Sequence, residues 1–206
     1  MSKNTNRKNL PKGKMVRRFG VNVFGNSKYD KLLAKKSAAS GNSKRRPAKL
    51  SIYGQQLLEK QKIRFAYGVS EKQLRAVYAK AKKQGGVTGH NMLVLLESRL
   101  DNVVYRLGLC STRPQARQLV RHGHFTVNGR KLDIPSAMVY PGDEIAVVEK
   151  SREMKVLREN AEVAAAVSKP AWLTLNGMAG KIERLPERQE IPTIADEQIV
   201  VEYYAK

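Results

Sequence analysis

The chain has 206 residues, with 39 Lys and Arg against 18 Asp and Glu, a formal net charge of +21. A folded protein tolerates so large a self-repulsion when a polyanion relieves it, so nucleic acid is the leading partner class and an acidic membrane surface the second. The single cysteine, Cys110, excludes an internal disulfide; no apolar run reaches the ~20 residues of a membrane span, and the N-terminus lacks the apolar centre of a signal peptide. The expectation is a cytoplasmic protein with no membrane partner.

The charge is polarised. Residues 1–50 hold 15 basic side chains and one acidic, Asp30, a net of +14, whereas residues 151–206 are at −1. The first 50 residues are rich in Lys, Ser, Asn and Gly and too poor in large apolar groups to offset the entropy of ordering. They read as a basic arm that orders on its polyanion. Short apolar islands (Met15, Val16, Phe19, Val21, Val23, Phe24) predict that the arm docks rather than dangles. Two GNSK tetrapeptides, at residues 25–28 and 41–44, are a coincidence of composition rather than a repeat. The cluster Lys44, Arg45, Arg46, Lys49 is a candidate phosphate contact; a solubilising linker is the bland alternative.

Helical patterning starts near Tyr53, with Leu57, Leu58 and Phe65 set among Lys60, Lys62 and Arg64. Ser70 and Gln73 have capping-box spacing. Leu74, Val77, Tyr78 and Ala81 then follow at i, i+3, i+4, i+7 and predict one buried helix face, ended by Gly85-Gly86. The apolar run from Met92 to Leu96 predicts another short helix.

A second region begins at about residue 97. Leu100, Val103, Val104 and Leu107 form a further helical stripe, stopped at Gly108. Thr112 is a good N-cap, with Pro114 in the first turn and Gln115 at the box position. Ala116, Leu119 and Val120 are the buried side of this helix, and Arg113, Arg117 and Arg121 recur every four residues. Residues at that spacing drift only ~40° per step, so the three arginines predict one cationic ridge. Asn128-Gly129, between residues 125–127 and 130–132, is a strong hairpin signal. Pro141-Gly142-Asp143 is a turn leading into a strand with Ile145, Val147 and Val148. Residues 152–167 predict a helix, broken by Pro170, and Trp172, Leu173 and Leu175 a closing strand. Beyond Pro186 the chain reads as loop, then ends in an apolar stretch, Ile199 to Tyr204, expected to pack back on a core.

The sharpest candidate site is the arginine helix with its hairpin: Arg113, Arg117 and Arg121, with His122, His124, Arg130 and Lys131 near its end. Arginine can grip phosphate bidentately. Arg17 and Arg18 of the arm, Lys44, Arg45, Arg46 and Lys49, Lys60, Lys62, Arg64 and Arg99 complete the RNA-contact candidates. A solvated charged face is the competing reading of each. Catalysis finds no support. No nucleophile motif accompanies His90, His122 or His124, there is no Gly-rich phosphate loop or dinucleotide fingerprint, and Asp143-Glu144 suit turn chemistry. Cys110 reads as a small buried residue, and the Cys and His spacing suits no zinc site. No catalytic residue and no cofactor are expected.

The motifs ESRLDNVVYRLG, ARQLVRHGH, VNGRK, PGD and EQIVVEYYAK, together with LSIYGQQLLEKQKIRFAYGVSEKQ and GVTGHNMLVLLESRLDN, resemble the bacterial ribosomal small-subunit protein four family over about residues 44–206. The resemblance implies an α+β fold. A basic N-terminal arm (1–50) precedes a helical domain (51–97) that is discontinuous and closed by the C-terminal tail (185–206). Inserted in it is an α/β RNA-binding module (98–160, its sheet and helix extending to about 184), two helices packed on a small, mostly antiparallel sheet. It implies a structural protein of the small ribosomal subunit. Such a protein binds a multi-helix junction in the 5′ domain of small-subunit ribosomal RNA and nucleates assembly of the subunit body. It contacts small-subunit protein five, with protein twelve functionally linked, at an interface tied to translational accuracy. By position, Arg45, Arg46 and Lys49 would lie where mRNA enters. No homo-oligomer is expected. Many relatives hold a metal with four arm cysteines; residues 1–50 contain none, so zinc is expected to be absent. Ile52 stands where relatives usually carry a polar residue.

Two other classes compete. An RNA-modifying enzyme could carry the same module, but it would need a catalytic domain of roughly 200 further residues. A DNA-binding regulator is permitted by charge, and competition between duplex DNA and folded ribosomal RNA would separate it. A hinge is expected at the Glu97–Ser98 junction, with the two halves moving independently.

Overall fold

The computed structural model describes residues 11–39, 50–192 and 194–205. The candidates Lys44, Arg45, Arg46 and Lys49 lie outside them. The architecture is α+β. In chain order come helices α1 (Lys12–Phe19), α2 (Ser27–Ala39), α3 (Ile52–Ala66), α4 (Glu71–Lys83), α5 (Thr88–Glu97), α6 (Leu100–Arg106) and α7 (Arg113–Arg121). Strands β1 (Phe125–Val127), β2 (Arg130–Lys131) and β3 (Glu144–Val147) follow, then α8 (Lys155–Ala166), β4 (Leu173–Asn176), β5 (Ala179–Ile182) and α9 (Glu197–Ala205).

Local sequence explains many boundaries. Ser51 caps α3 by accepting from the Gly54 amide at 3.1 Å. Ser70 and Gln73 close a reciprocal capping box on α4. Thr112 accepts from the Gln115 amide at the start of α7, with Pro114 in the first turn. Asn128 and Gly129 both have positive φ, 50° and 76°, as the tightest two-residue hairpin turn requires. The turn sets the β1–β2 register, Val127 opposite Arg130. Asn128 is tied further to β3, donating to Asp143 Oδ1 at 2.7 Å and accepting from the Glu144 amide at 2.9 Å.

The sheet runs β2-β1-β3-β5-β4, every described pair antiparallel. Strand β5, flanked by Gly177 and Met178, went unread in the sequence because Ala179-Gly180-Lys181-Ile182 has almost no β propensity. Its Gly180 shows why: a Cβ there would sit 2.5 Å from Leu107 Cδ2, so close approach of helix to sheet selects glycine over a good strand former.

Two cores result. One joins Ile63, Tyr67, Leu74, Met92 and Leu96 of α3–α5 and their flanks with Ile191, Ala195 and Val200 near the C-terminus. The other joins Leu100, Val104 and Leu107 of α6 with Val120, Phe125, Ile145, Leu157, Trp172 and Ile182. The stretch after Pro186, read as loop, holds a short 3-10 turn (Arg188–Glu190) before α9. Helix α9 docks chiefly on α3 and α5, and its Tyr204 stacks on Tyr78 of α4 at 5.0 Å.

Residues 11–39 hold the two helices α1 and α2, and Met15, Val16, Phe19 and Val23 are all buried. Phe19 meets Phe65 of α3 with ring centroids 5.9 Å apart. Met15, Val16 and Phe19 among the apolar islands are one face of the amphipathic α1, too short to stand out against a basic background, and Val23 is buried just beyond it.

Candidate nucleic-acid interface

The region that joins the two cores is built on residues 97–102, Glu-Ser-Arg-Leu-Asp-Asn. Its charged members are buried. Glu97 accepts from Arg106 through two bonds (2.9 and 2.6 Å), from Asn102 Nδ2 at 2.6 Å and from the Tyr67 hydroxyl at 2.7 Å. Burial works to raise the Glu97 pKa, but the bonds from Arg106 and its charge prevail and hold it below the usual carboxylate range. For Tyr67, burial and then the Glu97 charge push the phenol well above its ordinary value, so it stays a neutral donor. Asn102 Oδ1 in turn accepts from Arg113 Nε at 2.7 Å. The Arg113 guanidinium lies 4.5 Å from the Tyr105 ring centroid and 5.0 Å from that of Tyr67.

Asp101 is the second hub. Arg99 grips it with two bonds (3.1 and 2.9 Å). Arg117 adds two more (2.9 and 2.6 Å) and donates across to the Gly68 carbonyl at 2.6 Å and the Tyr67 carbonyl at 3.3 Å. Those carbonyls belong to the turn after α3, so α7 is bonded directly to the helical core.

The predicted ridge is therefore divided. Arg113 Nε and the Arg117 guanidinium bond within the protein, because the α7 face that carries them points at Tyr67, Gly68 and residues 101–102, though Arg117 keeps an open side. Arg121, one turn on, is exposed. Arg99 and Lys60 are buried as well, although Arg99 still reaches the wall of the cleft described below. Arg99 is 5% exposed and fully engaged on Asp101, and Lys60 is 4% exposed, bonded to Glu71 at 2.8 Å and lying 4.3 Å from the centroid of the Tyr203 ring. Lys62 is paired with Glu59 at 2.6 Å.

What the surface presents is a smaller set. Arg121, His122, Arg130 and Lys131 are exposed, and the Lys131 stem lies across Gly123. His124 is half-buried, with Nδ1 2.8 Å from Ser151 Oγ. Burial, then the charges of His122 and Lys131, hold it below its ordinary value, so it carries no charge at neutral pH. A cleft of about 830 Å³ opens beside this edge. Arg64, Phe65, Ser70 and Gln73 line it from the helical side, and Arg117, Arg121 and residues 133–136 from the other. Arg64 is half-buried, donates to Gln61 Oε1 at 3.1 Å and lies over the Phe65 ring at 5.2 Å. Farther along, Arg17 and Arg18 are exposed on α1; Arg17 Nε donates to the Gly13 carbonyl at 3.3 Å.

Other chemistries leave little trace. Burial pushes the Cys110 thiol up to about 12, so it is no thiolate at neutral pH. Among the described residues there is no group of three His, Cys, Asp or Glu suited to a metal, and no helix long and apolar enough to cross a membrane.

Comparison with known proteins assigns both parts. Residues 7–97 match the family model described as ribosomal protein S4/S9 N-terminal domain, and residues 98–145 match the S4 domain. Small ribosomal subunit protein uS4 of Borrelia turicatae is 52% identical over 205 residues, covering 98% of this chain and 99% of its own length. The chain belongs to the uS4 family of small-ribosomal-subunit proteins. Its uS4 relative in Borreliella burgdorferi is 49% identical over the same span, and that in Borreliella afzelii 47%. Within the uS4 framework, the S4 domain contributes α6, α7, β1, β2 and the start of β3, and so carries Arg121, Arg130 and Lys131.

Proposed function

We propose that this uS4-family chain is a non-catalytic structural component of the small ribosomal subunit that binds small-subunit ribosomal RNA directly. The observation that carries this reading is an open cleft lined by Arg64 of α3 on one side and Arg121 of α7 on the other, next to the exposed Arg130 and Lys131. Cations on both sides of one cleft suit a folded polyanion whose backbone passes between them. Recognition of folded RNA largely through its backbone and shape fits a surface of this charge.

The finer reading is a multi-helix junction in the 5′ domain as target, with nucleation of subunit-body assembly as consequence, in the cytoplasm. The domain division is an arm at 1–50, a helical domain at 51–97 closed by 185–206, and the RNA-binding module between. Arg45, Arg46 and Lys49, just before α3, would face incoming mRNA. A protein contact is favoured by a separate patch: Leu50, Ile52 and Tyr53 are 50, 72 and 60% exposed, and Tyr53 lies 5.9 Å from Tyr203 of α9. A run of exposed apolar side chains of this kind marks an interface, and we assign it to small-subunit protein five, with an effect on accuracy in which protein twelve shares. This gives Ile52 a role that its place at the start of a helix does not. The chain would act as one copy per subunit.

Filter binding of small-subunit ribosomal RNA tests the central claim. Arg121→Glu combined with Lys131→Glu should weaken binding at least ~10-fold and reduce the slope of log affinity against log salt by about 2, one per lost phosphate contact. Unchanged affinity and slope in a variant with a normal melting curve would remove the module edge from the interface.

A further inference from the structure

A second, smaller pocket of about 230 Å³ lies between α1 and α3, lined by Lys14, Met15, Arg18, Phe19, Leu57, Leu58, Gln61 and Phe65. Its floor is apolar: Met15, Phe19, Leu57, Leu58 and Phe65. Lys14 and Arg18 stand one helical turn apart on α1, both exposed, at the rim. Gln61 is half-buried there, and its Oε1 already accepts from Arg64, which leaves its amide donors available. Phe65 belongs both to this pocket and to the cleft that Arg64 and Arg121 line, so the two cavities are neighbours across one aromatic ring.

The pocket lies below the ~300 Å³ at which drug-sized ligands are accommodated. It suits one flat group. The rim excludes cations and favours a group flanked by negative charge. An unpaired nucleotide has this character: a planar apolar base with a phosphate on either side. Single-stranded bases splayed from a fold are held on aromatic side chains in just this manner.

We propose that the α1–α3 pocket receives one unpaired base of the bound RNA, with Lys14 and Arg18 holding the phosphates that flank it. This rests on the RNA-binding reading above and extends it. The helical half would then contribute base capture, and the module edge backbone contact. A pocket already formed by the packing of α1 on α3 would spare the cost of ordering it on binding.

The test uses the full chain and two probes: a hexamer of adenylate and an abasic ribose-phosphate hexamer of equal length. Methyl NMR reads Met15, Leu57 and Leu58 directly in the unmutated protein. The adenylate hexamer should shift those methyls saturably and bind roughly 10-fold tighter than the abasic one. Lys14→Glu with Arg18→Glu, both exposed and outside the cores, should abolish most of that binding. Equal affinity for the two hexamers, or methyls that do not move, overturns the proposal and leaves a surface that reads only phosphate. Binding of small-subunit ribosomal RNA by the same preparation is measured in parallel. If the RNA binds while the pocket shows no base dependence, only the base-capture proposal fails; if the RNA does not bind, the RNA-binding reading fails with it.

Discussion

Glu97 shows what a single buried carboxylate does here. It is 1% exposed and receives four side-chain hydrogen bonds, two of them from Arg106. Replacing it by alanine would leave the Arg106 charge and the Tyr67 hydroxyl without this acceptor, while Asn102 would keep its bond to the residue 97 carbonyl, a loss of about 3–5 kcal/mol; urea unfolding would read it. The sign of its pH dependence follows from the lowered pKa. A carboxylate held below its ordinary value of 4.5 stabilises the fold fully above that value. The contribution is lost as pH falls through the lower, folded value. Glu190 beside Arg184, and Glu197 beside Arg188, are lowered too and act in the same direction. Stability should therefore drop steadily as pH falls below about 4.5, and Glu97→Gln should be less stable at neutral pH with a shallower acid slope. An acid slope identical to that of the parent chain would show that Glu97 does not carry the effect. Such roles were not legible in the sequence. Charged residues beside an apolar stripe read as surface, and only burial reveals them as a network.

At the scale of elements, the local signals held where the chain decides locally. The α4 capping box, the Thr112 cap and the Asn128-Gly129 hairpin all depend on residues within four positions of each other. Ser70→Ala should accordingly cost about 1 kcal/mol. Where an element is made by its neighbours, the pattern was silent or misleading. Strand β5 is held by β3 and β4 on its two sides and by Leu107 above Gly180. Gly180→Ala should cost about 1–3 kcal/mol by overpacking, seen as a melting temperature lower by roughly 2–12 °C. A melting curve that matches the parent would mean α6 can back away from the sheet freely. Helix α7 carries the same lesson for function. Its arginine spacing was plain to read, but which of the three faces solvent is set by the partner that α7 leans on.

For the whole molecule the decisive place is the junction after Glu97. A hinge was the natural expectation where one pattern ends and another begins. The structure instead places Tyr67, Gly68, Glu97, Asp101, Asn102, Arg106, Arg113 and Arg117 in one bonded network across it. Charged hydrogen bonds of this kind are roughly twice as strong as neutral ones, so independent motion would require breaking several at once. NMR relaxation should give one rotational correlation time for both halves of the parent chain. Arg117→Ala removes the bonds to Asp101 and to the Gly68 and Tyr67 carbonyls, and should let the values separate. Distinct correlation times in the parent would mean that the network opens in solution. If the NMR test gives one correlation time, the junction would hold Arg64 and Arg121 at one separation across the cleft.

By itself the sequence determined the class of partner, the helices and hairpin with local start and stop signals, and the family. Charge balance, caps, turns and long motifs are properties of the linear chain and need no contacts to be read. Only the tertiary structure decided which cations are available. Arginine and lysine look alike in a sequence whether they end on a phosphate or on a carboxylate far along the chain. Burial against Asp101, Glu71 and Tyr67 engages Arg99, Lys60, Arg113 and Arg117 within the protein, with Arg117 still reaching the cleft, and leaves Arg64, Arg121, Arg130 and Lys131 at the cleft and its edge. The packing of α1 against α3, which makes the second pocket, is likewise a contact between segments some forty residues apart, beyond the reach of any local pattern.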